Sequence, residues 1–87
     1  MMASAPPPRR RLVVPEFGIG GVPLTLSLWL VPPGTRVEAG DRVAELVAGG
    51  VTIDLEAPVS GRLAAQLVDE DDAVAAGTVI AEFEVTG

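Results

Sequence analysis

The sequence predicts an all-β domain: a flattened β-barrel of two small antiparallel sheets with internal pseudo-two-fold symmetry. Three observations point to it. Apolar and polar residues alternate with a period of two, as half-buried strands require. No window holds apolar residues at i, i+3, i+4 and i+7 over the length a helix needs. A strand–turn–strand pattern also occurs twice, at a constant offset of thirty-seven residues.

The elements follow in chain order. Residues 1–11 read as a disordered leader, because Ala3 to Pro8 supplies small residues and consecutive prolines; the domain proper is expected over 12–87. Leu12, Val13 and Val14 make a short strand stopped by Pro15, which cannot donate to a ladder. Phe17 to Pro23, with Gly18, Gly20 and Gly21, is a loop. Leu24 to Leu30 alternates, with Leu24, Leu26, Leu28 and Leu30 on one face and Thr25, Ser27 and Trp29 on the other. Pro32, Pro33 and Gly34 end that strand, and Val37 stands alone before a turn at Glu38 to Asp41. Val43–Val47 and Val51–Glu56 form a hairpin around Ala48, Gly49 and Gly50. Leu63–Val68 is a strand, and the run Asp69, Glu70, Asp71, Asp72 is a solvated loop, since four adjacent carboxylates repel one another, with a docking surface for a basic partner as the alternative. After Val74 and the turn at Ala76-Gly77, the strand Val79–Val85 closes the fold with Val79, Ala81, Phe83 and Val85 on one face.

The repeat is specific. Leu30-Val31, Val37, Ala39-Gly40, Val43, Ala44-Glu45 and Leu46 recur as Leu67-Val68, Val74, Ala76-Gly77, Ile80, Ala81-Glu82 and Phe83. Each copy is too small to bury its own apolar face, so the two copies are expected to pack together.

Composition narrows the chemistry. Eighty-seven residues make one domain, and the 48% apolar fraction contains two Phe, one Trp and no Tyr. The core must therefore be thin layers of aliphatic side chains. There is no Cys and no His, which removes thiolate sites, disulfides and the usual general base. The net charge of −6 disfavours nucleic acid and anionic membrane, and no apolar stretch is long enough to span a bilayer. The expected location is the cytoplasm. No metal site is predicted, because adjacent acids alone do not form an oxygen cage. Gly18, Gly20 and Gly21 lack the Lys-Ser/Thr that a phosphate loop carries. Asp41 is expected to accept hydrogen bonds from its own turn, while Asp54 and Glu56 share a strand face without an evident pocket. Trp29 is expected to cover the barrel edge, with a docking contact as the alternative.

Several segments together resemble a known family. They are Val14-Pro15-Glu16-Phe17-Gly18, Leu28-Trp29-Leu30-Val31, Gly34 with Val37 and Gly40-Asp41-Arg42-Val43, Ala44-Glu45-Leu46, Ala57-Pro58-Val59-Ser60-Gly61 and the closing Val74, Ala76-Gly77, Val79-Ile80-Ala81. In this order and spacing they are similar to the biotinyl/lipoyl attachment domains, most of all to the lipoyl domain of dihydrolipoamide acyltransferases of 2-oxo-acid dehydrogenase complexes. That family presents Asp-Lys-Ala at a hairpin tip, usually after Glu-Thr, and its lysine receives lipoate. The resemblance sets Val47 at the Glu position, Ala48 at Thr, Gly49 at Asp, Gly50 at Lys and Val51 at Ala. Neither methionine of a biotin domain's Met-Lys-Met is present there.

The chain contains no lysine at all, so no side-chain primary amine exists to carry lipoate or biotin. The resemblance then implies a degenerate attachment tip at Ala48, Gly49, Gly50 and Val51, with no cofactor and no catalysis. The implied role is an unlipoylated interaction or scaffold domain whose partner is a protein, such as a subunit of a multienzyme complex. The alternative is a carrier modified at an atypical site, on Ser4, Ser27, Ser60, a threonine or the N-terminal amine, or supplied as part of a larger acyltransferase assembly.

Overall fold

The computed structural model describes residues 5–17 and 22–86. Eight strands follow in order: β1 (Arg9–Val13), β2 (Leu24–Trp29), β3 (Arg36–Val37), β4 (Arg42–Ala48), β5 (Val51–Glu56), β6 (Gly61–Gln66), β7 (Ala73–Val74) and β8 (Val79–Val85). They form two four-stranded antiparallel sheets, β1-β8-β6-β3 and β5-β4-β2-β7. The chain is all-β, but the expected flattened barrel is not found. Each sheet ends in edge strands, and the two sheets stack as an open sandwich. Closure would need ladders across both seams, whereas β3 and β7 are two residues long and each already pairs within its own sheet.

The two halves match closely. β2, β3 and β4 map onto β6, β7 and β8 across the thirty-seven-residue offset, and β5 takes the place beside β4 that β1 takes beside β8. The match extends to irregularities. The register shifts between Leu26 and Leu28 against β4, and between Leu63 and Ala65 against β8. Gly34 and Asp71, which correspond, have φ of 90° and 74°. Glu38 N–H donates to Asp41 Oδ2 at 2.9 Å, and Ala75 N–H to Thr78 Oγ1 at 3.1 Å, so each copy closes the same turn with a side-chain oxygen.

The β-bulges decide which side chains enter the core. At Ser27 the bulge reverses the alternation of β2. Leu24 and Leu26 are buried, but Leu28 and Leu30 are 46% and 43% exposed, and Trp29 turns inward to pack on the core. The expectation of four leucines on one buried face fails for this reason. The shift between Arg42 and Ala44 leaves Val43 without a partner in β5, and the shift between Leu12 and Val13 does the same to Ile80 in β8. Two consecutive residues are thereby buried in each strand, Val43-Ala44 and Ile80-Ala81. Phe83, Leu26, Leu46, Leu63, Ile80, Val14 and Val43 are fully buried, each large side chain contributing about 1.5–3 kcal/mol of transfer free energy. Among the described residues no charged or polar residue is buried.

β1 begins at Arg9, inside the stretch expected as leader. Arg9 lies opposite Glu84 and its guanidinium meets Glu82 at 3.1 Å and Glu84 at 3.6 Å, which ties this side chain to the sheet. Val85 N–H also donates to Pro8 O at 2.9 Å.

Candidate functional site

The hairpin between β4 and β5 is closed by two residues. Ala48 pairs with Val51, and Gly49 and Gly50 between them have φ of 54° and 87°. Two successive positive φ values define the backbone of a type I′ turn, whose twist suits the flanking strands and which side chains disfavour. Gly49 and Gly50 are exposed and Val51 is 59% exposed, whereas Ala48 is buried against the sandwich. Of the four tip positions, three therefore face water. A Cβ on Gly50 would meet no heavy atom within 4 Å, and one on Gly49 would lie 3.4 Å from Val22 Cγ1. Val22, near the end of the connection between β1 and β2, therefore stands beside the tip. Gly18, Gly20 and Gly21 of that connection lie outside the described residues.

The other candidates are placed apart from the tip. Asp41 serves its own turn, as its hydrogen bond from Glu38 N–H records. Asp54 meets Arg42 at 3.1 Å on the outer face of the hairpin, and Glu56 is exposed on the same strand. Asp69 to Asp72 are exposed; Asp72 Oδ2 accepts from Asp69 N–H at 2.8 Å, and Glu70 Oε2 accepts from Trp29 N–H at 2.9 Å. Among the described residues no three His, Cys, Asp or Glu side chains are grouped to hold a metal ion, and no helix is long and apolar enough to cross a membrane. Ser60 Oγ donates to Glu38 Oε2 at 3.1 Å and accepts from Ala39 N–H at 2.9 Å. Ser27 is half-buried in β2 beside its bulge, and Ser4 lies outside the described residues.

The residue alternation alone did not reveal the role of Trp29. Its Nε1 donates to Val68 O at 3.1 Å, while Gln66 Nε2 donates to Val31 O at 3.0 Å. These bonds are reciprocal across the two copies, because Trp29 and Gln66 correspond, as do Val31 and Val68. The offset itself was the signal that could have paired Trp29 with Gln66.

Comparison with known proteins agrees with this architecture. The family model described as "Biotin-requiring enzyme", that of the biotin/lipoyl attachment domains, matches residues 11–83. The chain is 35% identical over 70 residues to the dihydrolipoyllysine-residue acetyltransferase component of the pyruvate dehydrogenase complex of Corynebacterium glutamicum, covering 80% of this chain and 10% of that protein. It is 37% identical over 67 residues to the dihydrolipoyllysine-residue succinyltransferase component of the 2-oxoglutarate dehydrogenase complex of Bacillus subtilis, covering 77% of this chain and 16% of that protein. It is 26% identical over 77 residues to the lipoamide acyltransferase component of the branched-chain alpha-keto acid dehydrogenase complex of the same organism, covering 88% and 18%. The chain thus spans less than a fifth of the length of each of these relatives. An open sandwich of two matched sheets, a projecting two-residue hairpin and a family match over most of its length lead to one assignment: the chain belongs to the biotin/lipoyl attachment family.

Proposed function

We propose that this domain is a non-catalytic, unlipoylated member of its family that works as an interaction or scaffold module beside a 2-oxo-acid dehydrogenase or a related multienzyme system of the cytoplasm. The glycine turn carries this reading. A swinging-arm carrier needs a primary amine on an exposed, well-fixed turn, so that one tethered thioester can visit several active sites at high effective concentration. Here the exposed turn is Gly49-Gly50, and the 87 residues contain no lysine. The partner surface is the tip around Gly49 to Val51 with Val22 beside it. Proteins of the dehydrogenase assemblies are the partners that the relatives suggest.

Intact mass of the protein taken from its native cells tests the first half: the unmodified mass is expected, and a covalently bound acyl carrier on any residue overturns it. Binding to purified dehydrogenase components at micromolar concentration tests the second half. An unmodified protein that binds none of them removes the scaffold role while leaving the chemistry of the tip intact.

A further inference from the structure

The reciprocal bonds of Trp29 and Gln66 mark the pseudo-two-fold axis. Over them lies an open groove of about 520 Å³, at the end of β2 away from the glycine turn, since Trp29 pairs with Ala44 while Leu24 pairs with Ala48. Its two walls hold equivalent places in the fold, because Pro32 and Pro33 correspond to Asp69 and Glu70 across the offset. Their chemistry is opposite. One wall is Trp29, Leu30, Pro32 and Pro33; the other carries the carboxylates of Asp69 and Glu70. The backbone does not demand this difference, as both walls close the same turn: Thr35 N–H donates to Pro32 O at 3.3 Å, and Asp72 N–H to Asp69 O at 3.1 Å. Leu30 stands 43% exposed at the groove; its counterpart Leu67 is as open, at 50%, but does not line it.

We propose that this groove docks a peptide segment of a protein partner that carries arginine beside an aliphatic side chain. The argument is charge complementarity joined to shape. An aliphatic group can rest on the indole, Leu30 and the proline rings, while a neighbouring guanidinium reaches the carboxylates of Asp69 and Glu70 on a chain of net charge −6. The apolar wall loses little freedom on binding, because proline rings are stiff and the indole is already held by its bond to Val68 O. The proposal goes beyond the scaffold reading of the tip and does not depend on it.

Trp29 is the single tryptophan, so its fluorescence reports occupancy directly. The full chain is titrated with a short synthetic peptide of alternating arginine and leucine, beside a glutamate–leucine and an arginine–serine peptide. A saturable fluorescence change with the first peptide is expected, with both controls about tenfold weaker or worse. The Asp69→Asn, Glu70→Gln double variant should weaken binding about three- to tenfold at low salt. Glu70→Gln keeps a carbonyl oxygen for Trp29 N–H, so far-UV and near-UV circular dichroism should be unchanged. Glu56→Gln, which removes a charge elsewhere, should change affinity by less than about twofold. The proposal is overturned if the arginine–leucine peptide leaves the fluorescence unchanged, if the glutamate–leucine peptide binds equally well, or if the double variant binds as the parent does. The same fluorescence change on concentrating the protein alone, with dimerisation in sedimentation, would also overturn it by making a second copy the occupant.

Discussion

Replacing Gly50 by lysine places an amine at the position that the resemblance sets against the family's acceptor, and the turn sets the consequence. Gly50 has φ of 87°, and a Cβ there meets no heavy atom within 4 Å. Neighbouring atoms therefore add nothing to the cost, and the backbone alone decides it. Holding an L-residue in the left-handed region costs about 1–2 kcal/mol. Losing glycine's freedom in the unfolded chain returns about 0.4–1 kcal/mol. The net loss is on the order of 1 kcal/mol, which for a domain of this size lowers Tm by about 4–8 °C. Gly50→Ala should match Gly50→Lys, because both carry the same Cβ penalty, and Gly50→Asn should lose less. Urea unfolding and thermal scans of the three variants measure this. If Gly50→Lys is as stable as the parent, or if lysine is tolerated where alanine is not, the turn has another conformation and the reasoning fails. With lipoate and a lipoate ligase, Gly50→Lys should stay largely unmodified, whereas Val47→Glu, Gly49→Asp, Gly50→Lys, Val51→Ala together should gain the lipoyl mass. Complete modification of the single variant would refute the claim that the flanking residues matter.

Other perturbations probe the frame around the tip. Gly61→Ala should destabilise by about 3 kcal/mol or more in urea titration, because its Cβ would collide with the carbonyl oxygen of Glu84 in β8 and backbone cannot yield cheaply. Trp29→Phe should cost about 1–3 kcal/mol through the lost bond to Val68 O, and Gln66→Leu a similar amount through the lost bond to Val31 O, both read from shifted denaturation midpoints at constant slope. Arg42→Ala should cost less than about 0.5 kcal/mol, since its pair with Asp54 is exposed; a larger loss would show that the pair holds the hairpin. A circular permutant opened between Gly49 and Gly50, with Val85 joined to Pro8 by two glycines, should fold cooperatively, because Val85 N–H already reaches Pro8 O as the ends of a hairpin would. Loss of a cooperative thermal transition would contradict the equivalence of the two hairpins.

The strands were legible because alternation and turn residues mark them, and the glycine hairpin because two positive φ values require such residues. The limits lie where a single residue changes phase. Ser27 looks like any outward polar residue, yet its bulge sends Leu28 and Leu30 to solvent and brings Trp29 onto the core. β3 and β7 are too short to alternate, so they showed only as the isolated Val37 and Val74. Barrel closure depends on ladders at the seams, which no residue pattern specifies, and the seams stayed open. Arg9 to Arg11 read as tail because charges suit water, but Glu82 and Glu84 lie across the sheet to receive Arg9. The turn at Gly49-Gly50 was legible, but not the burial of Ala48, whose small side chain fits either environment. Glu70's bond to Trp29 N–H joins residues forty-one apart and follows only from the meeting of two loops.

The internal symmetry separates what the fold requires from what it leaves free. Positions that agree between the copies shape the backbone: the paired bulges, the paired turns closed by Asp41 and Thr78, and the paired bonds from Trp29 and Gln66. Positions that disagree cannot be explained by that backbone. Asp71 is the sharpest case. It holds φ of 74° where its counterpart Gly34 holds 90°, so the acidic loop keeps a side chain at a place where glycine would be more comfortable. Left-handed aspartate is tolerable, but a turn selected for backbone ease alone would not favour it. The same comparison sets Asp69-Glu70 against Pro32-Pro33, and the long connection from Val14 to Pro23 against the short one from Ala57 to Ser60. Of these, Asp69-Glu70 lies at the axis groove past one end of β2, and Val22, before its other end, lies beside the glycine turn. The groove and the glycine turn, the two surfaces proposed to meet partners, therefore both lie where the copies differ.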